Sequence, residues 1–159
     1  MSEKKRLMAV KAEEVPRRTA LSIYPEPFFS RMNGREKHQL GDFFGLTNFG
    51  VNLTRLLPGS QSSIFHYHTR QDEFVYILEG MPTLITEDGE TVLEPGMCIG
   101  FAAGGSAHQL VNRSANDVLY IEVGDRTPGD EGIYPRDDLK ADMGTDGKWV
   151  FTRKNGEKY

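Results

Sequence analysis

The amino-acid sequence predicts a single all-β domain, built as a sandwich or a barrel. Short runs of β-branched and aromatic residues recur from Gly41 to Gly124, and turns rich in glycine and proline separate them. In that region no segment keeps an apolar spacing of 3.6 residues over three turns, as an amphipathic helix would. A length of 159 residues fits one domain with its own hydrophobic core.

The first predicted strand lies around residues 49–54, where Phe49, Val51 and Leu53 alternate with Gly50, Asn52 and Thr54. Such a period of two is typical of a strand with one buried face. The following predicted strands cover residues 64–68, 74–78, 83–86, 91–94, 98–101, 108–112 and 118–123. Asp88-Gly89 is a strong hairpin signal between two of them, and Pro95-Gly96 predicts another turn.

The segments on either side of this region differ from it in composition. Residues 1–40 are interpreted as an N-terminal arm, since three prolines interrupt any long helix there, and we expect Phe28 and Phe29 to dock on a core. Residues 125–159 are interpreted as a polar C-terminal extension of the same domain. The apolar run 149–151, with the single tryptophan, predicts a last strand or an element packed on the barrel exterior.

Charge and composition exclude several classes of function. Residues 72–147 carry 16 acidic and four basic residues, which disfavours nucleic acid as a partner. A single cysteine, Cys98, excludes an internal disulfide framework, and its short apolar strand predicts a buried thiol. The apolar runs are too short for a membrane helix or a signal peptide. We therefore expect a cytoplasmic protein without a membrane partner.

Three of the four histidines belong to two motifs. His66 and His68 are two residues apart on a predicted strand, so both side chains leave the same face. Glu73 begins the next strand, and we expect antiparallel pairing to bring it beside the two imidazoles. Asp72 is the alternative carboxylate if the register shifts by one residue. His38 lies outside the motifs and is expected at the surface.

His108 begins a strand about 35 residues further along and could supply a fourth ligand from across the barrel. Three imidazoles and a carboxylate suit one divalent transition metal: Fe, Mn, Ni, Co or Zn. Asn112 shares a face with His108, and two roles stay open for it: lining the pocket or hydrogen-bonding a loop. The sequence does not identify a catalytic base.

Taken together, the two motifs resemble those of the cupin superfamily, over residues 41–124. Glycine, His-x-His, glutamate and glycine match Gly59, His66, His68, Glu73 and Gly80; the second motif matches Gly96, Gly105, His108 and Asn112. The chain departs from the pattern at Ala103, where the motif prefers proline, and by one extra residue before that turn. The resemblance implies a jelly-roll barrel, also called a double-stranded β-helix, with one buried metal and often a homodimer.

Two segments after the barrel, starting at Gly124 and at Tyr134, look like those of a subgroup of small bacterial cupins in which some members are described as sugar-phosphate isomerases. The resemblance therefore implies, first, a metal-dependent isomerase of a sugar or sugar phosphate. A non-haem Fe(II) dioxygenase and a non-catalytic module that binds a metal or a small ligand are the alternatives. For a phosphorylated substrate the motifs offer only Arg55, Arg70 and Arg113 nearby, and the acidic middle disfavours an anion.

Overall fold

A computed structural model describes residues 9–159, and within this range the chain forms twelve strands in two layers. The strands are β1 (Arg35–Gln39), β2 (Phe49–Leu56), β3 (Tyr67–His68), β4 (Glu73–Glu79), β5 (Thr83–Thr86), β6 (Gly89–Val92), β7 (Cys98–Phe101), β8 (His108–Val111), β9 (Val118–Asp125), β10 (Glu131–Ile133), β11 (Lys140–Met143) and β12 (Trp149–Thr152). The helical segments are α1 (Leu40–Phe44) and two 3-10 turns at Ala12–Glu14 and Ser30–Met32.

One layer is a five-stranded antiparallel sheet with the order β1-β2-β9-β4-β7. The facing layer combines the sheets β12-β11-β10-β3 and β8-β5-β6. These two join because bridges from Gln61 to Val111 and from His66 to His108 place the segment before β3 beside β8. The layers form a jelly-roll barrel, which confirms the all-β fold that the sequence predicts.

The core lies between the layers and follows the alternation of the strands. On β4, Val75 and Ile77 point inward and are buried, whereas Phe74, Tyr76 and Leu78 point outward and stay exposed. The interior cluster comprises Leu56, Val75, Ile77, Leu93, Leu110, Val118 and Tyr120. Burial of each such side chain stabilises the fold by about 1.5–3 kcal/mol.

A second cluster attaches the flanking segments to the barrel. Phe28 and Met32 from the N-terminal segment are buried against Ile64, Tyr134 and Leu139. Trp149 and Phe151 of β12 pack on the same cluster, with Tyr24, Leu21 and Tyr159. The last apolar run is therefore a strand, as predicted, and the docking expected of Phe28 is observed.

Strand β1 lies within the segment predicted as an arm. Its residues are all polar or charged, so they lack the apolar alternation that predicts a strand. The strand forms because it pairs with β2 over five residues, from Arg35 opposite Leu56 to Gln39 opposite Asn52. As a result Arg35 and Lys37 line the barrel interior.

Three local predictions are wrong, each for a physical reason. The strand expected at 64–68 shortens to β3, because five residue steps separate Gln61 from His66 but only three separate their bridge partners Val111 and His108, so the chain between the bridges bulges out of the ladder. Cys98 is exposed rather than buried, since it pairs with Tyr76 on the outer face of the edge strand β7. His38 is half-buried rather than on the surface, with its Nδ1 2.5 Å from the Val15 carbonyl oxygen. Separately, no helix within residues 9–159 has the length and hydropathy needed to cross a membrane.

Candidate metal centre

The three motif histidines lie on adjacent strands of one layer. His66 and His108 exchange backbone hydrogen bonds, N to O, of 3.3 and 2.9 Å, so the segment before β3 and the start of β8 are neighbours. His68 follows in β3 on the same face. Glu73 starts β4 in the facing five-stranded sheet.

This arrangement reverses one expectation from the sequence. Glu73, and not His108, reaches the site from across the barrel. The connection from His68 to Glu73 is not a hairpin between paired strands but a crossing from one layer to the other, because β3 pairs with β10 and β4 pairs with β7 and β9. The four predicted side chains still meet, since the interior of the barrel brings both layers to the same point.

The side-chain donors converge at the centre of this crossing. His66 Nε2 lies 3.2 Å from His68 Nε2, and the Glu73 carboxylate lies 3.7 Å from the first and 3.6 Å from the second. The ligand atoms of His66, His68 and Glu73 all lie within 4.8 Å of one another. His108 Nε2 lies 2.9 Å from Glu73 Oε2, the oxygen that also faces His66, although His108 is not part of that group of three.

Each imidazole is oriented by a hydrogen bond to its Nδ1. His66 Nδ1 lies 2.8 Å from the Ile64 carbonyl oxygen, and His108 Nδ1 lies 3.3 Å from that of Ser106. His68 Nδ1 lies 2.5 Å from the Asp130 carboxylate. A carbonyl or a carboxylate can only accept, so each neutral ring carries its proton on Nδ1 and presents the Nε2 lone pair to the centre.

The donor set therefore fits a cation. Three imidazole lone pairs and one carboxylate face each other with no hydrogen donor between them. Glu73 Oε2 is buried and has no hydrogen-bond partner of acceptable geometry in the described part of the chain, although His108 is close to it. A divalent transition metal satisfies all four groups at once, because imidazole nitrogen and carboxylate oxygen are its usual ligands.

Burial and mutual contact keep His66 and Glu73 in the protonation states that bind a metal. Burial lowers the pKa of His66 to about 4, so the ring is neutral at neutral pH. Burial alone would raise the pKa of Glu73, but its close contact with His108 and with the neighbouring imidazoles outweighs burial and holds this pKa at about 2. The carboxylate is therefore ionised, and no proton has to leave these two groups before a metal binds.

Asp130 supports the centre from behind His68, and sequence reasoning missed it. The carboxylate is 1% exposed and accepts hydrogen bonds from the backbone amides of Arg70 (2.8 Å) and Gln71 (3.3 Å). Such a carboxylate fixes the ring orientation and raises the basicity of the ligand. It is 62 residues away from His68 in a polar turn, so nothing in the local sequence distinguishes it from a solvated aspartate.

Aromatic rings enclose the three imidazoles. Phe101 stacks on His108 with 3.5 Å between ring centroids, and Tyr134 stacks on His66 at 5.7 Å. The single tryptophan, Trp149, lies 5.7 Å from His68. These rings remove water from one side of the centre and limit the freedom of the histidines.

Two open alternatives from the sequence are resolved against a role at the centre. Asp72 is exposed, and its Oδ1 accepts the Ala103 amide at 2.8 Å, so it holds the loop before His108. Asn112 is fully buried, but its amide donates to the Leu56 and Asn116 carbonyls and accepts from Ser114. Asn112 therefore stabilises a turn, and it is not among the residues that line the cavity described below.

The centre lies at the wall of a cavity of about 710 Å³ between the two layers. Besides the four ligands, the cavity is lined by charged side chains of the five-stranded sheet and the N-terminal segment, among them Arg18, Arg35, Lys37 and Glu122. The three arginines that the sequence suggested do not line it: Arg55 pairs with Asp117, Arg113 pairs with Glu90, and Arg70 lies behind the turn at Gly129.

The fold and the centre define a small jelly-roll barrel with a three-histidine, one-carboxylate cluster at its interior. The family model that describes the cupin domain matches residues 52–124, which contain all four candidate ligands. The chain belongs to the cupin superfamily.

The structure is similar to that of a sugar phosphate isomerase from a cupin superfamily, from Silicibacter pomeroyi, with a TM-score of 0.87 and 39% identity. The match covers 95% of this chain and 96% of that one. A candidate sugar phosphate isomerase from Acidithiobacillus ferrooxidans has a TM-score of 0.71 and 26% identity, covering 88% and 96%. The polyketide cyclase RemF from Streptomyces resistomycificus shares the fold alone, with a TM-score of 0.61 and 18% identity over 75% and 79%. No curated protein matches the chain.

Proposed function

We propose that this cupin is a metal-dependent isomerase of a sugar or sugar phosphate, with His66, His68, Glu73 and His108 as ligands of one divalent transition metal. The observation that carries the proposal is the convergence of imidazole lone pairs and a carboxylate, without a hydrogen donor, on the wall of a cavity. Two similar structures whose names give sugar phosphate isomerases support the choice of reaction. Bound in this site, such a metal would act as a Lewis acid on a carbonyl oxygen of the substrate.

Isomerisation also requires a group that moves a proton between neighbouring carbons, and we assign this role to Glu122. Its position on β9 is opposite Val75 of β4, two residues from the register position of Glu73, so both carboxylates reach the same cavity. Diagonal neighbours across two strands lie roughly 7–8 Å apart at the backbone, which leaves room for a substrate carbon between them.

The neighbours of Glu122 keep it in the form that accepts a proton. Burial alone would raise the pKa of Glu122, but the Lys37 ammonium and the Asn52 amide, which both donate to Oε1, hold it below its ordinary value. The carboxylate is thus ionised at neutral pH and can take a proton from a substrate carbon. Asn52 and Lys37 fix its orientation.

The test combines metal analysis with solvent exchange. We expect one equivalent of metal in the purified protein, and deuterium uptake from D₂O at the carbon next to the carbonyl in a panel of aldose and ketose phosphates. Glu122→Gln should lower that exchange by about 100-fold or more without changing the metal content. Glu90→Gln, an exposed carboxylate paired with Arg113, is the matched control and should leave both unchanged.

Other outcomes identify the alternatives. Oxygen consumption with Fe(II)-loaded protein on the same panel, with no exchange, would replace the isomerase by the dioxygenase. A full equivalent of metal without turnover of either kind would indicate a non-catalytic binding module. An absence of metal after reconstitution would refute the whole proposal.

The homodimer implied by the family resemblance also stays a proposal. Phe74, Tyr76 and Leu78 form an apolar row on the outer face of β4, each about 40% exposed. Such a row suits a contact with a second copy of the chain. Light scattering on the wild type and on Tyr76→Lys would test this contact. The cytoplasmic location also remains a prediction.

A further inference from the structure

At the end of the cavity away from the metal centre, three cations face one carboxylate. Arg18 comes from the N-terminal segment, while Arg35 and Lys37 come from the inner face of β1. Lys37 forms an ion pair with Glu122. The guanidinium groups of Arg18 and Arg35 instead donate to backbone carbonyls of Ala20, Leu21 and Ser62, which carry no net charge. This group of Arg18, Arg35, Lys37 and Glu122 is called the basic cluster below.

The positive charge of the basic cluster is not balanced by its other neighbours. A smaller cavity of about 490 Å³ on the outer side is lined by the same three cations. The charged groups that it adds, Arg17 and Glu36, form an ion pair with each other and cancel. The basic cluster therefore retains two net positive charges, reached by a ligand from the cavity.

Two further observations indicate that this cluster suits an anion. Arg35 is 9% exposed, and its Nε is buried without a hydrogen-bond partner in the described part of the chain, although buried guanidinium donors are normally paired. Burial, together with the charge of Arg35, lowers the pKa of Arg18, and burial lowers that of Lys37 with Arg35 and Arg18 as further causes. An anion beside them would relieve this repulsion.

We propose that the basic cluster binds the phosphate group of the substrate while the metal centre holds its carbonyl end. A phosphate monoester carries close to two negative charges at neutral pH, which matches the net charge of the cluster; a carboxylate would balance only half of it. The assignment of the substrate's carbonyl end to the metal centre rests on the proposed function. Of the two substrate classes proposed there, a sugar and a sugar phosphate, the basic cluster favours the sugar phosphate.

The geometry suits a short phosphorylated chain. Lys37 on β1 and Glu73 on β4 are separated by β2 and β9, which amounts to three strand spacings or about 14 Å between backbones. Both side chains reach into the cavity from its two sides, so the gap between their tips is smaller. Within the basic cluster Glu122 is the member nearest to the metal centre, because its strand β9 is next to β4, and the reacting carbons would be placed beside it.

The proposal is tested by calorimetric titration with inorganic phosphate, and with acetate as a singly charged probe. Both the metal-loaded and the chelator-treated full-length protein are titrated, because phosphate can also bind a metal directly. We expect phosphate to bind in both states, at least tenfold more tightly than acetate. Lys37→Met and Arg18→Gln should each weaken phosphate binding by about tenfold or more.

Two variants serve as matched controls. Lys37→Arg keeps the charge and should stay within about threefold of the wild type, and Arg113→Gln, whose guanidinium lies outside the cavity, should leave binding unchanged. Arg18 is half-buried and not part of the core, so Arg18→Gln gives the answer if Lys37→Met fails to fold.

Absence of phosphate binding by the chelator-treated protein, or binding that Arg18→Gln leaves unchanged, would overturn the proposal. These readouts do not depend on turnover. A protein that fails the isomerase test but binds phosphate in this way would contradict the proposed reaction alone, and a protein that isomerises without this binding would contradict only the phosphate site.

Discussion

The two ends of the cavity are built in opposite ways. At the metal centre, three imidazoles and one carboxylate converge without any hydrogen donor between them, and the Asp130 carboxylate lies behind His68. At the basic cluster, guanidinium and ammonium donors face each other with one carboxylate between them. One end suits a cation and the other suits an anion. The cavity is thus polarised along its length, so a bound molecule is oriented before any chemistry occurs.

Removing a metal ligand should have the largest effect on the contrast between the two ends of the cavity. His66→Ala should abolish stoichiometric metal binding and exchange activity, because three remaining donors no longer surround the ion. Phosphate binding to the chelator-treated variant should stay within about threefold of the wild type. Metal analysis and calorimetry measure the two effects. His38→Ala, which removes the histidine outside the cavity, is the control and should bind a full equivalent of metal.

A smaller effect on the metal end is expected from the carboxylate that lies behind His68. Asp130→Asn keeps the shape of the side chain but removes the charge that orients His68, so metal affinity should fall by about 10- to 100-fold. Competition with a chromogenic chelator measures this change. Asp72→Asn is a matched carboxylate beside Glu73 that contacts only a loop amide, and it should stay near the wild-type affinity. Equal losses in both variants would mean that Asp130 acts only through general charge.

The last prediction concerns the pH dependence of stability. Since the folded protein lowers the pKa of His66 to about 4 from an ordinary 6.5, the unfolded chain binds a proton first as the pH falls. The metal-free protein should therefore lose stability between pH 6.5 and 4, by about 3 kcal/mol for this group alone. Glu73 adds a further loss only below its ordinary 4.5, since its pKa is about 2.

Denaturant unfolding of chelator-treated protein at a series of pH values measures this dependence. His66→Gln carries no titrating group at the position and should show a flatter profile over the same range. A slope that is identical in the two proteins would place the responsible proton elsewhere in the molecule.

The sequence predicts the metal end of the cavity well because its information is local. His66 and His68 are two residues apart on a strand, and this spacing alone places both rings on one face. Glu73 and His108 follow from the joint pattern of the two motifs. The layer from which each ligand comes was predicted in reverse, since sheet pairing depends on the whole topology and not on the connection between two strands.

The basic end was not predicted, and the reason is physical. The stretch Arg35–Gln39 contains no apolar residue, so its strand has no hydrophobic period to reveal it. In the sequence, Arg35 and Lys37 look like part of a solvated charged arm. Only the pairing of β1 with β2 directs their side chains into the barrel. Arg55 and Arg113 lie closer to the motifs in sequence, yet both form ion pairs away from the cavity. Asp130 is similarly invisible, because its partner lies 62 residues away.

The metal centre is tested most directly by diffraction at the absorption edge of the metal. Crystals of protein reconstituted with Mn or Fe would be measured above and below that edge. The structure predicts one anomalous peak within coordination distance of His66, His68 and His108 Nε2 and of the Glu73 carboxylate. Absence of a peak at this point in metal-loaded crystals, or a peak bound by other residues, would contradict the assignment.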